Sequence, residues 1–163
     1  MLIIAKSMKD LSFSALMEIY IEGNMENGQD NYPEEPEYRQ IMLAEQDFYN
    51  YLSQVFFRTD GAVYLIWEER GKYVSALRLE PYQDGLLLEA LETAPDQRQK
   101  GYAKTLILAA LGEFDGKKIY SHVSKRNTPS IRTHEVCGFE KILDHAVYAD
   151  GSVLRSSVTY CHG

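Results

Sequence analysis

Between an apolar run ending at Thr93 and a helical pattern starting at Gly101, the chain reads Gln97-Arg98-Gln99-Lys100-Gly101-Tyr102-Ala103. The first turn of a helix leaves backbone N–H groups without intrahelical partners, and the macrodipole makes that end positive. Gly101 and Ala103 keep side-chain bulk away from those donors, so an anion can approach them closely. Arg98, Lys100 and Lys104 add positive charge where a phosphate would sit. The chemistry this spacing suits is the grip on the phosphates of a large anionic cofactor. Two commoner phosphate loops are missing, since the chain has no GxxxxGK[ST] and no GxGxxG after a strand pattern. P-loop and dinucleotide enzymes are therefore disfavoured.

The flanking elements fit that site. Leu86, Leu87 and Leu88 open the strand, and Pro95 closes it. Ala103, Leu106, Ile107, Ala110 and Leu111 recur at the spacing of one helical face. A second polar cluster follows the next strand, Lys118 to Val123. There Asn127 precedes Pro129 and Ser130, a pattern that starts a helix, and Gly138-Phe139 ends it. Gly138 is expected to be left-handed and Phe139 to enter the core.

These two blocks resemble the GNAT superfamily of acetyl-CoA-dependent acyltransferases. Arg98-Gln99-Lys100-Gly101-Tyr102-Ala103 matches that family's [Q/R]-x-x-G-x-[G/A]. The segment from Asn127 to Phe139 is similar to its N-x-x-[S/A]-x-x-x-Y-E-x-x-G-F. Two blocks in order at the family's separation are far more specific than either alone, and the likeness is strong from Leu86 to Phe139. The resemblance implies acetyl-CoA as cosubstrate. It places Leu91 and Thr93 beside the thioester, the backbone of Arg98, Gln99, Lys100, Gly101, Tyr102 and Ala103 on the diphosphate, and Asn127 on the cofactor arm. A strand N–H near Glu92 or Thr93 would hold the developing oxyanion.

The departures bear on catalysis. His134 stands where the family usually carries a tyrosine that protonates the departing sulfur. An imidazole, with a reference pKa of about 6.5, can donate a proton near neutrality, so His134 is the candidate acid. The glutamate that some members carry on this strand would align near Leu87, so no residue matches it outright. Glu89 and Glu92 are the nearby carboxylates. By strand alternation Glu89 shares a face with Leu87 and Glu92 lies opposite, which favours Glu89 as the base. An alkyl amine acceptor, with a pKa near 10.4, needs such a base.

Around these blocks the chain predicts an α+β, largely antiparallel mixed sheet in the order β-α-α-β-β-β-α-β-α-β-β, the GNAT fold, as one domain over residues 1–163. Met1 to Lys6 is too short an apolar stretch for a signal peptide and reads as the first strand. A helix from Asp10 or Ser12 is expected to stop at Gly23-Asn24. Glu26 to Glu37, with Pro33 and Pro36, reads as an acidic loop, and Tyr38 to Phe57 as the second helix. The resemblance implies that this loop, with Tyr32 and Tyr38, walls the acceptor site, where Glu34, Glu35 and Glu37 would attract a cationic substrate; the plainer alternative is a solvated acidic loop. Two closing strands, Glu140 to Tyr148 and Ser152 to Tyr160, are joined by Asp150-Gly151.

A net charge of −7 argues against a nucleic-acid substrate, because a phosphate backbone calls for a basic face. It suits a cationic acceptor, a small-molecule amine or a protein amino group. No apolar run approaches the ~20 residues of a membrane span. Cys137 and Cys161 have no metal or redox spacing, and a reduced, cytoplasmic setting is expected. Monomer and homodimer both stay open. Three functions compete: an N-acetyltransferase, a non-catalytic acyl-CoA sensor, and an interaction module on the same fold.

Overall fold

The computed structural model describes residues 1–163. Seven strands form one sheet in the order β1 (Leu2–Ala5), β2 (Val63–Glu69), β3 (Lys72–Tyr82), β4 (Gly85–Thr93), β5 (Ile119–Ser124), β9 (Ser157–His162) and β6 (Glu140–Leu143). Every neighbouring pair is antiparallel except β4 and β5. Alternation along β2 shows why the sheet is buried on both faces. Val63 and Leu65 point to one core, Tyr64 and Ile66 to the other.

The first core is closed by α4 (Tyr102–Glu113), through Leu106, Ile107 and Ala110, and by Cys137 and Phe139 after α5 (Thr128–Val136). The second is closed by α1 (Phe13–Ile19), through Leu16, Met17 and Ile19, and by Leu52 of α3 (Glu37–Gln54) with Phe56 behind it. Ser12 caps α1, its hydroxyl accepting from the Ala15 N–H at 3.3 Å.

Two elements differ from the sequence reading. The stretch expected to be an acidic loop is mostly helix: α2 runs Ile21–Asn31, through the Gly23-Asn24 pair. Its local propensity is poor, and packing overrides it. Gly28 lies so close to α3 that a β-carbon there would sit 2.5 Å from the Gln40 carbonyl oxygen. Only the short Tyr32–Pro36 connection remains non-helical. The closing pair of strands is also broken up. β6 pairs with β9, and the chain between them makes a separate small hairpin, β7 (Ala146–Val147) with β8 (Val153–Leu154), around Asp150-Gly151.

The parallel pair β4–β5 positions the site. Its ladder joins Leu86, Leu87 and Leu88 to Ile119, Tyr120 and Ser121, and stops there. β4 continues to Thr93 and β5 to Ser124, so the two strands part into a fork.

Candidate active site

The fork opens beside the turn into α4. After a short 3-10 turn, Pro95–Gln97, the backbone is extended at Arg98, left-handed at Gln99 (φ 62°) and again at Gly101 (φ 82°). Gly101 is the cap residue of α4, and a β-carbon on it would meet no protein atom within 4 Å. Its hydrogen is thus demanded by backbone conformation, and the space in front of it is open. None of the N–H groups from Arg98 to Lys104 donates to another group of the protein. A run of such donors at the positive end of a helix is an anion cradle.

The cradle floors a cavity of about 670 Å³. Leu91, Thr93, Arg98, Gln99, Gly101, Tyr102, Ala103 and Asn127 all line it, so those residues expected at the cofactor come together. Ser130 and Thr133 of α5 complete the wall. Asn127 caps α5, its side-chain oxygen accepting from the Ser130 N–H at 3.2 Å, which leaves its amide nitrogen available to a ligand. Lys100 is the exception. It turns to the opposite side of the turn, where its Nζ lies 3.1 Å from Gln97 Oε1 in a separate pocket with Arg70 and Lys72.

The Arg98 side chain also departs from expectation. Its guanidinium makes a two-pronged pair with Glu22 of α2, at 2.8 and 3.3 Å, and lies 3.4 Å from Glu92. Its charge is therefore committed to carboxylates, and Lys104 is the remaining cation on the cavity wall. Glu22 carries no local signal in the sequence, because the contact spans 76 residues. The acidic stretch Glu34 to Glu37 lies past the far end of α2, more than two helical turns from Glu22. Glu35 there pairs with Arg39. The acidic side chain of this region that touches the cavity wall is Glu22, through its pair with Arg98.

β4 carries a bulge beside the fork. Ala76 pairs with Glu92 and Arg78 with Glu89, so two residues of β4, Ala90 and Leu91, stand opposite one of β3, Leu77. Ala90 takes the left-handed conformation (φ 54°), and its carbonyl accepts from Tyr20 OH at 2.7 Å. The bulge overturns simple alternation. Glu89 and Glu92 lie on the same face of the sheet, that of α1 and α3. Burial pushes the Glu89 carboxyl up to about 7, opposed by Arg78, whose Nε is 3.9 Å away. The Arg78 guanidinium is itself caged by the rings of Phe48, Tyr51 and Phe56. Burial raises Glu92 too. The Thr93 N–H, expected to be free for an oxyanion, donates to the Glu92 carboxylate at 3.3 Å.

His134 does not face the cavity. Its side chain is buried on the inner side of α5, with Nε2 2.8 Å from Ser121 Oγ and Nδ1 2.7 Å from the Ser130 carbonyl. Phe139 and Tyr160 pack against the ring, and burial lowers its pKa. With both nitrogens committed inside the core, it cannot reach a departing sulfur, and the role of acid expected for it is withdrawn. Gly138 (φ 90°) and buried Phe139 end α5 as read from the sequence.

A family model described as the acetyltransferase (GNAT) family matches residues 15–139. The chain belongs to the GNAT family of acetyltransferases. Solved structures with the same GNAT fold cover nearly the whole chain. The PaiA N-acetyltransferase of Thermoplasma acidophilum, in complex with coenzyme A, is 16% identical, with 99% of this chain and 98% of that one covered at a TM-score of 0.62. The ribosomal-protein-S18-alanine N-acetyltransferase of Escherichia coli gives the same identity and TM-score, covering 99% and 92%. A spermidine N-acetyltransferase SpeG chimera from Vibrio cholerae and hSSAT is 19% identical over 98% and 93%, with a TM-score of 0.57. No curated protein matches this GNAT chain by sequence. No helix is long and apolar enough to cross a membrane.

Proposed function

We propose that the protein is an N-acetyltransferase, a single domain over residues 1–163. It moves the acetyl group of acetyl-CoA to a primary amine of a small molecule or protein by direct attack in a ternary complex. The observation that carries this reading is the run of unpartnered N–H groups from Arg98 to Lys104 at the end of an open fork. The cofactor's diphosphate is read onto those donors, its arm past Asn127, and its thioester beside Leu91 and Thr93. Binding both reactants in contact replaces a bimolecular encounter by a local one.

Glu89 is the carboxylate we assign to the amine's proton. Its raised pKa lets it hold a proton near neutrality and release it to solvent, as a base for an ammonium must. Glu22 and Glu92, around Arg98 at the cleft, favour a cationic acceptor over an anionic one. Two free cysteines suit a reducing compartment, and we place the protein in the cytoplasm.

The burial of His134 favours one rival, an acyl-CoA sensor with the same cradle and no turnover. Acetyl-CoA at millimolar concentration is expected to raise the melting temperature and to slow amide exchange from Arg98 to Ala103. Adding an amine panel should then release free thiol. Binding without thiol release would establish the sensor, and no binding would remove both readings.

A further inference from the structure

An ammonium that becomes an amide sheds two protons, and the departing sulfur takes back one. A site for such an acceptor is therefore served by two proton acceptors on the amine's side. Glu89 is one. A second group stands where the strands part. Leu87 and Tyr120 are paired residues of β4 and β5, so their side chains share a face. One pleat further along each strand come Glu89 and His122, on the two lips of the fork and on that same face.

The His122 ring is half-buried, edge-on to Tyr82 at 5.5 Å and to Tyr148 at 5.4 Å. Its Nε2 lies 3.5 Å from Tyr82 OH, and the hydroxyl proton of Tyr82 goes to the Val147 carbonyl. With that proton committed, the Tyr82 oxygen is left to accept, and the tautomer that suits the contact has its hydrogen on Nε2. Nδ1 keeps its lone pair, with no partner in the protein. His134, with both nitrogens engaged, offers no such atom.

We propose that His122 is the second proton acceptor of the transfer, working across the fork from Glu89. This rests on the acetyltransferase reading. The first proton passes from the ammonium to Glu89. As the nitrogen lone pair bonds to the acyl carbon, the second proton passes to Nδ1 of His122. The electron pair of the breaking C–S bond stays on sulfur, which takes a proton from water. Each turnover gives one amide, one thiol and one released proton. The titratable groups packed against the ring are Tyr82 from β3 and Tyr148 from the hairpin; Tyr120 lies one pleat back on its own strand, and Glu89 stands on the other lip of the fork. Burial lowers the imidazole's pKa, so the ring is neutral and able to accept near pH 7.

His122→Gln retains a donor toward Tyr82 and removes the base. With spermidine and n-butylamine as probes, kcat is expected to fall ~10²–10⁴-fold. The melting shift produced by coenzyme A should be unchanged, and the rate should climb steeply with pH as free amine accumulates. Activity within threefold of wild type, with the same pH profile, overturns the proposal. A measurement on the wild type guards against a variant that fails to fold: nitrogen NMR should find the Nε2–H tautomer of His122 at pH 7, and an Nδ1–H tautomer overturns the assignment. A wild type that binds acetyl-CoA yet acetylates neither probe nor any other amine removes the acetyltransferase reading, and this one with it.

Discussion

Arg98 and Glu22 form a two-pronged ion pair, at 2.8 and 3.3 Å, that ties the turn before α4 to the start of α2. The first residue of the family motif is thereby held by α2, with its charge committed to carboxylates. Both side chains are about half exposed, so solvent screens the pair and its worth to folding is small, ~1 kcal/mol or less. Its larger effect is on ligand charge.

Glu22→Gln should release the guanidinium toward the cradle. Calorimetry is expected to show coenzyme A binding about two- to fivefold more tightly, the scale of one screened charge pair. The gain should vanish in 0.5 M salt, where the Debye length is only a few ångströms. Equal affinity at low salt would mean that Arg98 stays on Glu92.

The cradle makes a sharper prediction at Gly101. Any L side chain there must hold φ near 82°, at a cost of about 1–2 kcal/mol. A β-carbon meets no protein atom, so stability should suffer by that amount and no more. Gly101→Val also fills the space in front of the N–H groups. Coenzyme A affinity is expected to fall ~10-fold or more, the value of a lost charge-assisted hydrogen bond. Urea denaturation and calorimetry on the same variant separate the two effects. A folded Gly101→Val protein with wild-type affinity would falsify the anion cradle.

Glu89 links stability and activity to pH in opposite senses. Its folded pKa of about 7 lies above its ordinary 4.5, so on raising the pH the unfolded chain gives up the proton first. The stability it contributes is full below pH 4.5 and is lost as the pH climbs through about 7. Glu89→Gln removes that slope, and the variant should gain on wild type by on the order of 1–3 kcal/mol between pH 4.5 and pH 8. Activity runs the other way, because only the carboxylate accepts a proton. Wild-type kcat/KM should rise through pH 7, and Glu89→Gln should lose ~10²–10⁴ of it. Parallel urea melts and rate profiles test both. Unchanged turnover in the variant takes Glu89 out of the chemistry.

The geometry of the turn before α4 and of the cap on α5 was legible because its information is local. Arg98 to Ala103 is one contiguous turn, and the helix start, the left-handed glycine and the cap at Asn127 are each encoded within a few residues. The placing of the groups proposed to handle protons was not. Alternation put Glu89 and Glu92 on opposite faces because no residue type announces a bulge at Ala90. Position in a motif suggested His134, but its orientation depends on Ser121, which lies on another element. His122 can be placed on the face of Glu89 by counting two residues from Tyr120 only once the end of the β4–β5 ladder is known. Helix α2 was hidden for a related reason. Its glycines and asparagines weaken helix propensity, and what holds it is contact with α3.

That contact gives the last prediction. Gly28 is the point where α2 touches α3, and a side chain there would press on backbone, not on a movable side chain. The Gln40 carbonyl oxygen and carbon would lie 2.5 and 2.7 Å from the new β-carbon. Gly28→Ala improves helix propensity by ~1 kcal/mol, so local preference alone predicts stabilisation. Overpacking against backbone costs about 1–3 kcal/mol and should win, giving a net loss in urea denaturation. Because α2 would have to move off α3, amide exchange should quicken over Ile21–Asn31 and stay slow in α4. A Gly28→Ala protein as stable as wild type, with α2 equally protected, would show that α2 is held by something other than its close approach to Gln40.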